Sequence, residues 1–219
     1  MIGLRRHSVP RNDDKVTSTL PSALVWLDYF GIAVFAVSGA LLAAEKKQTL
    51  VTFLFFAVVT GVGGGTLRDL LIGAPVFWVH SNATLLICIA AAMLVWVAGR
   101  RWLSGNALLW FDALGLAAYS TFGAAKALGF GVAPVPAFGM GVLTACAGGI
   151  LRDLLANEPS ILMRPELYVT AAALSAGLFV ILSLAGLAVW PAAIVAALAG
   201  FGLRGLAIAR GWSLPAFSE

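Results

Sequence analysis

The chain has 219 residues, of which 61% are hydrophobic and 11% charged, with a net charge of +4 and a mean hydropathy of +0.96. A soluble domain carries roughly 25% charged residues, so this composition excludes a water-soluble enzyme or binding module and points to an integral membrane protein. The basic residues stand in short clusters between apolar runs, where membrane topology accounts for them, and nucleic-acid binding is set aside.

The apolar runs are about twenty residues long, enough to cross a hydrocarbon core of roughly 30 Å as helix, and they lack the alternating polarity of an outer-membrane strand. The expected fold class is therefore all-α, a polytopic bundle. Residues 1–20 form a polar tail of mixed charge, too poor in apolar surface to fold alone. The apolar stretch behind it exceeds the h-region of a signal peptide and reads as an uncleaved first helix. Seven spans follow, about 24–44, 50–72, 82–99, 108–128, 134–156, 167–184 and 187–209, and 211–219 is a short C-terminal tail. Their connections are short, so activity must reside in the helices and their turns.

Lys46, Lys47, Arg100, Arg101, Arg164 and Arg210 fall on one side of this arrangement, against Lys126 in the loops of the other. The basic side is expected to be cytoplasmic, with the N-terminus outside. Four basic residues in the N-terminal tail argue the other way. Trp26, Trp78, Trp102, Trp110, Trp190 and Trp212 fall near span ends and read as interfacial anchors. Cys88 and Cys146 are isolated in apolar segments and read as small buried hydrophobes. With His7 in the tail and His80 at a span end, no spacing suggests a metal site or a cofactor.

The least lipid-compatible stretch is TGVGGGTLRD, from Thr60 to Asp69. Glycine in a helix interior costs about 1 kcal/mol relative to alanine, and a charge at the bilayer centre roughly 2.5–3.5 kcal/mol on insertion scales. The stretch recurs: Thr144, Gly148, Gly149, Arg152 and Asp153 follow Thr60, Gly64, Gly65, Arg68 and Asp69 by 84 residues. The same 84 links Asp28 to Asp112, Gly31 to Gly115, Gly39 to Gly123 and Pro75 to Pro159. Two repeats result, about 24–99 and 108–184, each of three spans. Because three is odd, tandem copies face opposite ways in the membrane, leaving the seventh helix over. Such inverted repeats place a functional site where helices of the two halves meet near the midplane.

Thr60, Gly64 and Arg68 share one helix face, as do Thr144, Gly148 and Arg152. Two readings of the glycines, Gly63 included, are compatible. They let helices approach closely, or they kink or unwind the helix so that free carbonyls line water and coordinate an ion. Arg68 and Arg152 can snorkel to the interface, or form symmetry-related pairs, Asp28 with Arg68 and Asp112 with Arg152, that tie adjacent spans together. Lys126 has Leu42 as its counterpart; it either snorkels or faces a pore. Tyr119 reads as packing.

The doubled GVGGGTLRDLL and AGGILRDLL, in spans 2 and 5 of seven with two inverted halves, resembles the prokaryotic branch of the trimeric intracellular cation (TRIC) channels, proteins also labelled glycine transporters. The resemblance covers roughly residues 24–209. It implies a homotrimer with one pore per subunit, lined by kinked second and fifth helices and passing monovalent cations, chiefly potassium, across a bacterial inner membrane. By motif position the kinks fall at Gly63, Gly64, Gly65, Gly148 and Gly149, with Arg68, Asp69, Arg152 and Asp153 beside them, and Lys126 is similar to the family's fourth-helix lysine. Ala147 stands where a third glycine would in the second motif. The Lys-Glu-Val lipid signature of animal members is absent near Lys126, so membrane lipid is expected only as surroundings. A secondary transporter of a small amino acid such as glycine is the other reading. No Ser/His/Asp set or paired catalytic carboxylates suggest an enzyme, and GVGGGT lacks the third glycine of a dinucleotide fingerprint.

Overall fold

The computed structural model describes residues 22–98, 106–163 and 166–215. The 1–20 tail, the turn holding Arg100, Arg101 and Trp102, Arg164, and the last four residues lie outside the described residues. Seven α-helices are present among the described residues: α1 (Ser22–Glu45), α2 (Leu50–Leu71), α3 (Asn82–Ala98), α4 (Ala107–Gly129), α5 (Pro134–Leu155), α6 (Val169–Leu184) and α7 (Val189–Arg210). Five of them are long and apolar enough to cross a membrane; α3 and α6 are apolar but shorter, at 17 and 16 residues. Single-turn 3₁₀ helices, Phe77–His80 and Ile161–Met163, precede α3 and α6. The fold is all-α, and consecutive helices alternate in direction, so the ends of α1, α3, α5 and α7 share one side, here called the C-terminal side.

Local chemistry sets the helix ends. Pro134 occupies the first turn of α5, where its missing N–H costs nothing. Gly211, at φ 65°, closes α7 with the left-handed residue that ends many helices. The turns repeat with the helices. Lys47 and Gly131, then Gly73 and Asn157, all adopt positive φ, and each pair is separated by 84 positions. Left-handed backbone disfavours most side chains, so the same turn shape is kept even where the residue type is not.

Packing follows the same symmetry. Within the first half α1 packs on α2 and α3, within the second α4 packs on α5 and α6, and α7 lies against α4 and α6. The halves join through α1 against α4 and α2 against α5. At the first junction the rings of Phe35 and Tyr119, an 84-residue pair, lie 5.3 Å apart. Gly31 faces the Tyr119 ring while Gly115 faces that of Phe35. At the second, a Cβ on Gly64 would lie 2.0 Å from the Thr144 carbonyl oxygen, and one on Gly148 would lie 2.6 Å from that of Thr60. Each glycine therefore receives the backbone of the other half's threonine, a reciprocal contact of the kind small residues permit in membranes.

Both α2 and α5 are α-helical throughout their glycines. Unwinding at Gly63, Gly64, Gly65, Gly148 and Gly149, one of the two readings of these glycines, is not seen in these helices. At Gly64 and Gly148 the missing side chain serves close approach rather than release of carbonyls. Among the other motif glycines, Gly63 faces Leu151, Gly65 faces Phe77 and Gly149 faces the Tyr168 hydroxyl.

Candidate functional site

Two buried charged clusters lie toward opposite ends of the α2–α5 crossing. Each starts from an Arg–Asp pair on consecutive residues in the last turn of its helix. On α2, Arg68 Nε donates to Asp69 Oδ1 at 2.8 Å; on α5, Arg152 Nε donates to Asp153 Oδ1 at 2.9 Å. The other carboxylate oxygen accepts a backbone N–H eight residues on, Phe77 to Asp69 Oδ2 at 3.1 Å and Ile161 to Asp153 Oδ2 at 2.9 Å. Those amides open the two 3₁₀ helices. Each aspartate thus satisfies orphan donors at a helix start and fixes where the chain re-enters the next span. Arg68 and Asp69 are 0% exposed, Arg152 2% and Asp153 4%, so neither arginine snorkels.

Beyond this shared frame the clusters differ. Arg152 Nη1 donates to Asp112 Oδ1 at 2.6 Å and to Ser38 Oγ at 2.8 Å, joining α5 to α4 and α1. The corresponding Asp28–Arg68 bond is not formed, contrary to the symmetric expectation. Phe122 stands where the other half has Ser38, and its ring takes the face of Arg68 at 4.9 Å. Asp28 Oδ1 and Arg68 Nη1 lack hydrogen-bond partners among the described residues. Asp69 instead receives Lys126, whose Nζ reaches Oδ1 at 2.8 Å and Oδ2 at 3.0 Å. Lys126 is 7% exposed and lies 5.8 Å from the centre of the Phe77 ring and 5.9 Å from that of Phe130. It turns inward to a buried carboxylate, against the snorkelling alternative.

Between the clusters, Thr144 Oγ1 donates to the Met140 carbonyl at 2.5 Å, whereas Thr60 Oγ1 is buried without a partner among the described residues. The Tyr119 hydroxyl donates to the Gly61 carbonyl at 3.1 Å, across the halves. Cys88 and Cys146 are buried free thiols. No group of three or more His, Cys, Asp and Glu side chains among the described residues is placed to hold a metal ion. Trp78 is more than an anchor: its indole N–H donates to Thr66 Oγ1 at 2.9 Å.

Several contributors escape sequence reading. Ser38, Phe122 and the two capped amides carry no motif. Arg204, 1% exposed in α7, pairs with Glu166 and lies over the Tyr168 ring at 5.4 Å; a lone arginine inside a span was the available signal. On the C-terminal side a cavity of about 250 Å³ is lined by Leu42, Glu45, Asn106, Arg152, Asp153 and Glu158, among others. At its mouth Lys46 pairs with Glu158.

The geometry agrees with comparison to other proteins. A family model described as Glycine transporter matches residues 25–100 and again residues 109–184, two matches displaced by the same 84 positions. A UPF0126 membrane protein of Vibrio cholerae is 38% identical over 164 residues, 72% of this chain and 67% of the relative. The UPF0126 inner membrane protein YadS of Escherichia coli is 42% identical over 149 residues, 67% of this chain and 72% of the relative. A crystal structure of the TRIC trimeric intracellular cation channel orthologue from Rhodobacter sphaeroides matches with a TM-score of 0.83 at 40% identity, covering 88% of this chain and 100% of that one. A prokaryotic TRIC channel crystallised in 0.5 M KCl gives 0.81 at 28% identity, over 88% and 99%. The chain therefore belongs to the membrane-protein family described as Glycine transporter, and its fold is that of the TRIC channels.

Proposed function

We propose that the protein is a cation channel that assembles as a homotrimer, with one path for monovalent cations, chiefly potassium, through each subunit beside the α2–α5 crossing. The observation that carries this reading is the match over the whole length of a trimeric cation channel orthologue at 40% identity. The two charged clusters suit it. They leave α2 and α5 anchored at their ends while the crossing between them rests on two glycine–carbonyl contacts. A conducting state needs a wet, continuous path, so this crossing must part or slide. We place the channel in a bacterial inner membrane with the C-terminal side cytoplasmic, in keeping with Lys46, Lys47 and Arg210 on that side.

The description of the matching family model favours a second reading, secondary transport of glycine, in which the same crossing closes a midplane site during alternating access. Single-channel recording in a planar bilayer under a potassium gradient separates the two. Unitary currents reversing near the potassium potential support the channel; silence together with saturable glycine uptake into liposomes overturns it. For the trimer, crosslinking in native membranes should run to three subunits, and a series stopping at two counts against it.

A further inference from the structure

We infer that the cavity beside Asp153 is a binding site for an alkali-metal cation at the C-terminal side entrance, in the position that the Lys126 ammonium fills in the other half. The inference rests on the cation-channel reading and gives that path a holding site. Lys126 and Leu42 are an 84-residue pair, as are Asp69 and Asp153. Lys126 places its ammonium across both oxygens of Asp69. Leu42 lines one cavity together with Asp153, but a leucine brings no charge. The first half thus carries a tethered cation, and the second carries a cavity in its place.

Charge balance points the same way. Around Asp69 stand two cations, Arg68 and Lys126, with Asp28 as a further carboxylate within their electrostatic reach. Around Arg152 stand two carboxylates, Asp112 and Asp153, and one guanidinium. Asp112 is 1% exposed and binds Arg152 through Oδ1 alone, leaving Oδ2 buried and without a hydrogen-bond partner among the described residues. A buried excess of negative charge is costly, and a cation in the cavity that Arg152 and Asp153 line offsets it. Glu45 and Glu158 add oxygens along the wall, with Lys46 paired to Glu158 at the mouth. At about 30 Å³ of liquid volume per water, the cavity of about 250 Å³ accommodates a partly hydrated ion. The lining mixes carboxylates with Leu42, Leu108, Leu109 and Ile161, and since no three of its carboxylates are placed to hold a metal ion together, water completes the shell, which suits a weakly held alkali cation.

The test places a lysine where the symmetry says the cation sits. Melting midpoints of the purified protein are measured in potassium chloride and in choline chloride at equal ionic strength, for the wild type, Leu42→Lys and Leu42→Met. The wild type and Leu42→Met should show a saturable potassium-dependent rise. Leu42→Lys should melt higher in choline and keep less than a third of that rise. Rubidium anomalous diffraction from wild-type crystals should show density between Leu42 and Asp153, which decides the matter if Leu42→Lys does not fold. Full retention of the potassium rise in Leu42→Lys, or an empty cavity in the rubidium data, overturns the site. Rubidium uptake into liposomes keeps the two readings apart: uptake with an empty cavity removes the site and leaves the channel, whereas density without uptake does the reverse.

Discussion

The Arg68–Asp69 and Arg152–Asp153 clusters begin from the same two hydrogen bonds and end with different partners. What they share is the bond from arginine to its neighbouring aspartate and from that aspartate to the amide that opens the following 3₁₀ turn. What separates them comes from α1 and α4: Ser38 and Asp112 on one side, Phe122 and Lys126 on the other. The lesson is a division of labour. The repeated motif fixes backbone entry to the next span, which both halves need. The positions facing it set the local charge, and there the halves have diverged.

The largest test of this difference is loss of each arginine. Arg152→Ala strands Asp112 and Asp153 together in a buried site, and breaking a buried ion pair costs about 3–5 kcal/mol. Arg68→Ala leaves Asp69 still held by Lys126 through both oxygens, so its cost should be smaller by about half. Thermal melting of the purified variants measures the gap. Equal losses would mean that Lys126 does not stand in for the missing guanidinium.

Next in size is the pair of aspartates. Asp112→Asn weakens a charge-assisted bond to Arg152 of 2.6 Å, and hydrogen bonds to charged groups contribute about 1.5–3 kcal/mol. Asp28→Asn removes no bond to Arg68 and should cost less than about 1 kcal/mol. Melting midpoints compared in one buffer decide it. If Asp28→Asn proves the costlier, Asp28 is holding Arg68 after all and the halves are more alike than their geometry.

Much of this was readable from residues. Polarity and run length gave seven helices whose ends fall within two residues of the structural ones, because hydrocarbon thickness sets their length. The 84-residue offset was visible because Gly, Arg and Asp are expensive in a span and so stand out when they recur. The divergent partners were not visible, for a physical reason. Ser38 and Phe122 are ordinary residues in an apolar helix, and only the packing of α1 against α4 brings each to its arginine. The Asp28–Arg68 expectation erred by carrying symmetry across positions where Phe122 and Lys126 stand against Ser38 and Leu42 of the other half. The 3₁₀ turns were hidden too, since their cap is an aspartate eight residues upstream rather than a local signal. Sequence also left the glycines open between hinge and contact; in this structure the helices are continuous and Gly64 and Gly148 each meet a carbonyl of the other half.

The crossing itself should be nearly, though not fully, symmetric. Gly64→Ala puts a Cβ 2.0 Å from a carbonyl oxygen and Gly148→Ala one at 2.6 Å. Both oxygens are backbone and cannot swing away as a side chain does. Overpacking of this kind costs about 1–3 kcal/mol, with Gly64→Ala at the upper end and Gly148→Ala at the lower. Gly177→Ala in α6, whose Cβ would meet Phe138 at an ordinary 3.5 Å, is the control and should gain up to about 1 kcal/mol from helix propensity. If Gly148→Ala were as mild as Gly177→Ala, the crossing would be yielding on the α5 side, and a hinge there would regain its claim.

The smallest expected effect lies at the mouth of the cavity. Lys46, in the turn between α1 and α2, pairs with Glu158 beyond α5 and so links the two halves on the C-terminal side alone. Phe130 and Ala74 hold the corresponding positions on the other side, where Lys126 supplies a buried link instead. The side chains of Lys46 and Glu158 are 39% and 32% exposed, and exposed pairs contribute at most about 1 kcal/mol. Lys46→Gln should therefore lower stability by less than that at low ionic strength. The loss should vanish near 1 M salt, where the screening length falls to about 3 Å. A melting series against salt concentration measures it. A loss that is large and indifferent to salt would mean that Lys46 is held inside the cavity rather than at its rim, and the contrast between a tethered cation at one end and an open cavity at the other would fail.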